Sequence, residues 1–357
     1  MTGTAAERPL LDRYVDWELA ASTARRVARP GPEVTAGEAA GVVAELRAAA
    51  EASRPHVARI TGLHAEDDDP QVLVVDRPGW VQANLGSLRA VLEPVVDAMA
   101  SRRASEPPAV VTAVGSKVTG LETGGLLAFL SSKVLGQYDI NAGGVPRLLL
   151  VAPNVVHTER EMGVDAADFR LWVCLHEETH RVQFTAVPWM RQHMIDQVHA
   201  LARDLAPDPK ALIGTVEEAA RRLPGILRGE GGSLLDLFTT AEQRRRIAAL
   251  TAVMSLLEGH ADVVMDEVGP DVVPTVRTIR DRFDARRGGS DPMDRMVRRL
   301  LGLEDKMRQY RDGAVFVRGV VADVGMSGFN AVWTSPETLP TPEEIADPRA
   351  WVRRVHR

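Results

Sequence analysis

Apolar residues recur at helical spacing from the start of the chain, at Leu11, Tyr14, Val15 and Leu19 and again at Ala40, Val43, Leu46 and Ala50. This rhythm predicts two helices over 10–62, parted at Pro30 and Pro32. Gln71-Val-Leu-Val-Val-Asp76 is β-branched, stops at Pro78 and reads as a strand, followed by an amphipathic helix over 81–103. Pro107-Pro108 marks 104–119 as a connector, and a helix over 120–137 leads to a second apolar strand, Arg147-Leu-Leu-Leu-Val-Ala152, which ends at Pro153-Asn154. Beyond Asp165 the periodicity is helical almost throughout, over 165–185, 188–204, 209–227, 240–268, 273–287, 291–302 and 304–324. From Met326 to Arg357 four prolines make the chain turn-rich before a short terminal helix.

Two strands allow only a small sheet, so the pattern predicts a mainly α protein with a small β-sheet. With 357 residues, the chain reads as one large domain over 1–357. Its expected parts are N-terminal helices with the first strand (1–119), a strand and helix (120–185), a helical insertion (186–245), a further set of helices (246–325) and the turn-rich segment (326–357).

Composition narrows the function more than the fold. Apolar residues are 45% and charged residues 26%, an ordinary globular balance that excludes a disordered or collagenous chain. The net charge of −6 offers no basic field for nucleic acid. One cysteine, Cys174, excludes an intrachain disulfide and fits a reducing compartment. The N-terminus lacks a signal-peptide pattern, and the most apolar window considered, Gly124 to Val134, falls short of the roughly 20 residues that a membrane span needs. A cytoplasmic protein is expected, with no membrane or nucleic-acid partner and an oligomeric state that the sequence leaves open.

Chemistry enters at Phe169-Arg-Leu-Trp-Val-Cys-Leu-His176-Glu177-Glu178-Thr179-His180, an HExxH motif inside a predicted helix that Asp165 can cap. Residues four apart share a helix face, so His176 and His180 can converge on one Zn²⁺ while Glu177 stands beside an open coordination position as general base. Zinc lowers the pKa of its water towards about 7, which makes hydroxide available for attack on a carbonyl. The preceding residues are apolar nearly all round, the mark of a buried helix, and two histidines and a glutamate need partners there. The competing reading is a satisfied core histidine pair.

A third ligand is offered by Leu256-Leu-Glu258-Gly-His260-Ala-Asp262, where Glu258 and Asp262 lie one turn apart among apolar neighbours. In this ExxxD arrangement Glu258 ligates zinc and Asp262 accepts from the non-ligating nitrogen of a zinc-bound histidine. His260 competes as a ligand, but lies about 200° around the helix from Glu258. Glu258 is preferred because Asp262 accompanies it. An oxyanion-stabilising proton donor is also expected, from among His260, Tyr310, Tyr138 and His193. Cys174 reads as a buried apolar residue.

The pair HExxH and ExxxD resembles the signature of the gluzincins, the thermolysin-like zinc peptidases. More narrowly, Val151-Ala-Pro-Asn-Val155, Asp168 to Phe184, Pro188-Trp189, Glu258-Gly-His-Ala261 and Pro348-Arg-Ala-Trp351 resemble the zincin-like metallopeptidase type 2 family. Its members are uncharacterised hydrolases, with a subgroup associated with biosynthesis of a deazaflavin coenzyme. The resemblance spans essentially the whole chain and implies a zincin-like core, zinc at His176, His180 and Glu258, and Glu177 as base, with Asp262 bonded to His176 by gluzincin analogy. It implies no particular substrate. Seventy-seven residues separate His180 from Glu258, far more than in thermolysin-like enzymes, so a helical insertion is expected between them.

The function expected from this pattern is a zinc-dependent hydrolase acting on a peptide or small amide. The alternative is a non-catalytic zinc-binding scaffold or partner-binding protein that keeps the zincin fold. Retention of Glu177 speaks against the alternative, since a structural site needs ligands but no base.

Overall fold

The computed structural model describes residues 9–65, 71–100, 109–140, 144–205, 239–288 and 303–356. The helices expected over 209–227 and 291–302 lie outside the described residues. The chain divides into two compact units, one of Met1–Ala49 and Asp69–Glu161, the other of Ala50–Asp68 and Met162–Arg357.

The first unit holds α1 (Trp17–Val27), most of a long helix α2 (Ala36–Thr61), strand β1 (Gln71–Val75), α3 (Arg77–Ala100), α4 (Ala109–Ser131), β2 (Gly136–Asp139), β3 (Arg147–Val151) and α5 (Ala152–Met162). The three strands form one sheet in the order β1-β3-β2. β1 runs parallel to β3 with Leu73 opposite Leu149, and β2 runs antiparallel to β3 with Tyr138 opposite Leu148. Leu148, Leu149, Leu150 and Val151 are all buried, so the continuous apolar run of β3 marks a central strand covered on both faces. α1 and α4 meet closely, since a Cβ on Gly124 would stand 2.4 Å from the Ala20 carbonyl oxygen.

Three expectations need correction here. The connector expected over 104–119 is helical from Ala109, because α4 starts directly after Pro107-Pro108 and runs to Ser131. β2 was not expected, being four residues long without an alternating pattern. Pro153, taken as the end of a strand, is instead in the first turn of α5, where its missing N–H costs nothing.

The second unit is helical in its described residues: α6 (Ala166–Thr185), α7 (Met190–Leu205), α8 (Ala241–Glu267), α9 (Val276–Gly288), α10 (Leu303–Phe329), α11 (Pro342–Ala346) and α12 (Pro348–Val355), with short 3-10 turns at Asn330–Trp333 and Pro336–Thr338. Asp165 caps α6 by accepting from the Asp168 N–H, and Thr240 forms a reciprocal capping box with Gln243 at the start of α8. Within α10 the helical conformation breaks at Gly325, with φ of 73°, a left-handed geometry that glycine adopts without a Cβ penalty.

α8 and α10 cross at glycines. A Cβ on Gly259 would stand 2.2 Å from the Gly313 carbonyl carbon, and one on Gly313 would stand 1.9 Å from the Ser255 carbonyl oxygen. The backbones therefore touch next to Glu258. Ala241–Glu267 and Asp312–Trp333 are both long and apolar enough to cross a membrane, which corrects the expectation that no window approaches such a span. Here the two apolar helices pack on each other, burying Leu256, Ala261, Val264, Phe316, Val317 and Val320.

Candidate metal centre

α6 is buried nearly all round: Phe169, Trp172, Cys174, Leu175, Glu177, Glu178, Thr179 and Gln183 are all enclosed. Each polar group on such a helix requires a partner. Glu178 and Arg181 supply one another, with the guanidinium donating to both carboxylate oxygens at 2.7 and 2.6 Å. Burial pushes the Glu178 carboxyl above its ordinary range, and the Arg181 bonds oppose that rise. The Thr179 hydroxyl donates to the Leu175 carbonyl one turn back. Burial, then the Glu177 and Glu178 charges, push the Cys174 thiol up, so it stays a neutral apolar residue, as the sequence indicated.

One face of α6 and one face of α8 bring His176, His180 and Glu258 together, with a ligand atom from each within 4.8 Å of the others. His176 Nε2 lies 3.1 Å from His180 Nε2. Glu258 Oε2 lies 3.5 Å from the His176 nitrogen and Glu258 Oε1 lies 3.5 Å from the His180 nitrogen. Zinc–nitrogen and zinc–oxygen bonds of about 2.0–2.1 Å at tetrahedral angles set neighbouring ligand atoms about 3.3–3.4 Å apart. Each of the three contacts is near that spacing, with one Glu258 oxygen facing each imidazole, so this donor set fits a zinc ion. The side chains of His176, His180 and Glu258 are 21%, 13% and 31% exposed, leaving the centre partly open to solvent. Glu177, next to His176 on the helix, is only 5% exposed.

Asp262 is not placed as expected. Its carboxylate accepts from Arg280 Nη1 at 2.9 Å, and the same guanidinium donates to Asp266, 2.9 Å from Nε. Arg280 also lies over the Trp172 ring at 5.3 Å. Burial disfavours its charge, but the two aspartates outweigh that and raise its pKa. A guanidinium that needs two carboxylates has taken the group assigned to a histidine.

The histidines have other neighbours. His176 Nδ1 faces the Met265 sulfur at 3.2 Å. His180 Nδ1 faces Gln183 Oε1 at 2.9 Å, while Gln183 Nε2 donates to the Leu257 carbonyl at 3.0 Å and contacts His260 Nδ1 at 3.0 Å. Sequence reasoning missed Gln183. The signal was present, since a fully buried amide three residues after His180 on an apolar helix must be satisfied by something specific.

Among the proton donors considered, His260 is fully buried and packs against the Phe329 and Trp333 rings, 5.2 and 5.5 Å away between centroids. Burial, then the His180 charge, lowers its pKa to about 3. That makes it a neutral core ring rather than a donor to an incoming substrate. Tyr138 lies on β2 in the first unit, and His193 on α7 packs edge-on against Trp189. Tyr310 falls on α10, with its side chain outside the described residues.

With this geometry in hand, comparison with known proteins identifies the class. Residues 15–352 match the model of the zincin-like metallopeptidase family, and the chain belongs to that family. The match is to the family as a whole. The chain is also similar to a crystal structure from Chloroflexus aurantiacus titled "a putative hydrolase with a novel fold", at 29% sequence identity and a TM-score of 0.68, covering 96% of this chain and 99% of that one. No curated protein matches the chain.

Proposed function

We propose that the protein is a zinc-dependent hydrolase that cleaves an amide bond in a peptide or small amide, with His176, His180 and Glu258 as ligands and Glu177 as general base. The observation that carries this reading is the convergence of three ligand groups, two imidazole nitrogens 3.1 Å apart and a carboxylate with one oxygen 3.5 Å from each, which suits one tetrahedral zinc and leaves a fourth position for water or substrate. Zinc bound there would supply Lewis acidity to the scissile carbonyl and make a neighbouring water more acidic.

The protein's own part is positioning and proton transfer. α6 carries two ligands and the base on consecutive turns, so the attacking water and the carboxylate that deprotonates it share one rigid element. Glu177 takes the proton of the attacking water and passes it to the departing amine nitrogen, which leaves as a neutral amine. Its burial keeps bulk water from competing for that carboxylate.

Glu177→Gln tests the reading because the amide is isosteric but cannot act as base. It should keep zinc content and fold while hydrolysis of a mixed peptide library falls by about 10²–10⁴-fold. Equal hydrolysis by wild type and variant rejects Glu177 as base, and a zinc-loaded wild type that cleaves nothing favours the non-catalytic scaffold.

A further inference from the structure

Resting on that metal reading, we infer that Gln183 is a positioning residue that sets the proton-bearing nitrogen of both His180 and His260 and ties the second zinc ligand to the backbone beside the third. The deduction starts from one group whose role is fixed. The Leu257 carbonyl can only accept, so the Gln183 atom 3.0 Å from it must be the amide nitrogen. Gln183 Oε1 therefore faces His180 Nδ1 at 2.9 Å. An amide oxygen can only accept, so Nδ1 carries the proton of the neutral ring, and His180 Nε2 turns a lone pair toward His176 Nε2 and Glu258.

The second hydrogen of the Gln183 amide points to His260 Nδ1 at 3.0 Å. That nitrogen must then accept, and the His260 proton sits on Nε2, enclosed with the ring among Phe329 and Trp333. At His176 the same logic runs through sulfur: the Met265 thioether, a weak acceptor, faces Nδ1 and turns the His176 Nε2 lone pair to the centre as well. Two lone pairs 3.1 Å apart beside a carboxylate suit a shared cation and little else.

A carboxylate at position 183 could accept from His180 but could donate to neither Leu257 nor His260. The amide does all three, and because Leu257 precedes Glu258, it also braces α6 against α8 beside the third ligand, a contribution to stability rather than to zinc affinity. This exchanges the carboxylate partner common at zinc histidines for a neutral one that adds no charge to the buried layer.

Two measurements test it. Long-range proton–nitrogen correlation spectra of zinc-free, histidine-labelled protein should place the proton of His180 on Nδ1 and that of His260 on Nε2, and either ring in the opposite tautomer overturns the inference. Zinc affinity by chelator competition should fall about 10–100-fold in Gln183→Leu and stay within about threefold of wild type in Gln183→Glu, although the latter melts lower. A merely structural glutamine would weaken zinc in step with melting temperature in both variants, and that result overturns it too. If Gln183→Leu does not fold, Gln183→Glu and the spectra decide. A wild-type protein that binds no zinc contradicts the metal reading alone, and the tautomers are then decided by the spectra.

Discussion

Gly259 and Gly313 meet so closely that a Cβ on the first would lie 2.2 Å from the carbonyl carbon of the second. Because Glu258 precedes Gly259, the spacing of two helix backbones sets the reach of the third ligand. Gly313→Ala drives a Cβ into the Ser255 carbonyl, 1.9 Å away if nothing shifts, so it should cost about 1–3 kcal/mol of stability and weaken zinc binding at the same time. Gly115→Ala is the control: a Cβ there meets nothing within 4 Å, and the change should be neutral or stabilising by about 0.5–1 kcal/mol. Chemical denaturation of both variants with zinc titration would check this.

Asp262 separates this centre from the arrangement expected of an ExxxD helix. Its carboxylate serves Arg280, so Asp262→Asn should lower the melting temperature, by weakening a largely buried ion pair, and leave the zinc dissociation constant within about threefold of wild type. A drop of about 10–100-fold, the usual effect of removing a histidine's hydrogen-bond partner, would instead restore the expected role.

Zinc that binds only the folded chain must stabilise it. At about 1,000 times its dissociation constant the ion adds about 4 kcal/mol, so the melting temperature should rise on zinc addition and fall with a chelator. His176→Ala and Glu258→Ala should lose that response, which differential scanning calorimetry would detect.

The C-terminal segment supplies a pH-dependent clasp. Arg354 donates to both Glu344 oxygens at 2.7 and 2.8 Å and to the Leu339 carbonyl at 2.9 Å. Burial pushes the Glu344 carboxyl up, but the Arg354 and Thr341 hydrogen bonds outweigh it and leave the pKa below its ordinary value of 4.5. A carboxylate so lowered contributes stability that is present above pH 4.5 and lost as pH falls through the folded-state value. The melting-temperature gap between wild type and Arg354→Met should therefore be widest near neutrality and narrow below pH 4.5. A gap independent of pH would contradict it.

What the sequence made legible follows from how local each signal is. α6 and α8 were readable because their periodicity and i, i+4 pairs, and for α6 the Asp165 cap, lie within one helix, and the same spacing put His176, His180 and Glu258 forward before any contact was known. β2 was not readable, since Gly136-Gln-Tyr-Asp139 gains its identity only by pairing with β3. α5 was hidden because Pro153 punctuates a strand and starts a helix with equal ease. Asp262 could be placed on its helix face, but Arg280, 18 residues further on, decides which group its carboxylate meets. Gln183 was missed for the same reason, as its partners Leu257 and His260 come from another helix.

The central claim is that one zinc ion sits between α6 and α8, and a crystal of the wild-type protein purified without added metal tests it most directly. Anomalous difference maps above and below the zinc edge should show one peak per chain, about 2.0–2.2 Å from His176 Nε2, His180 Nε2 and a Glu258 oxygen. No zinc-specific peak at that point, or one bound by other residues, would contradict the account.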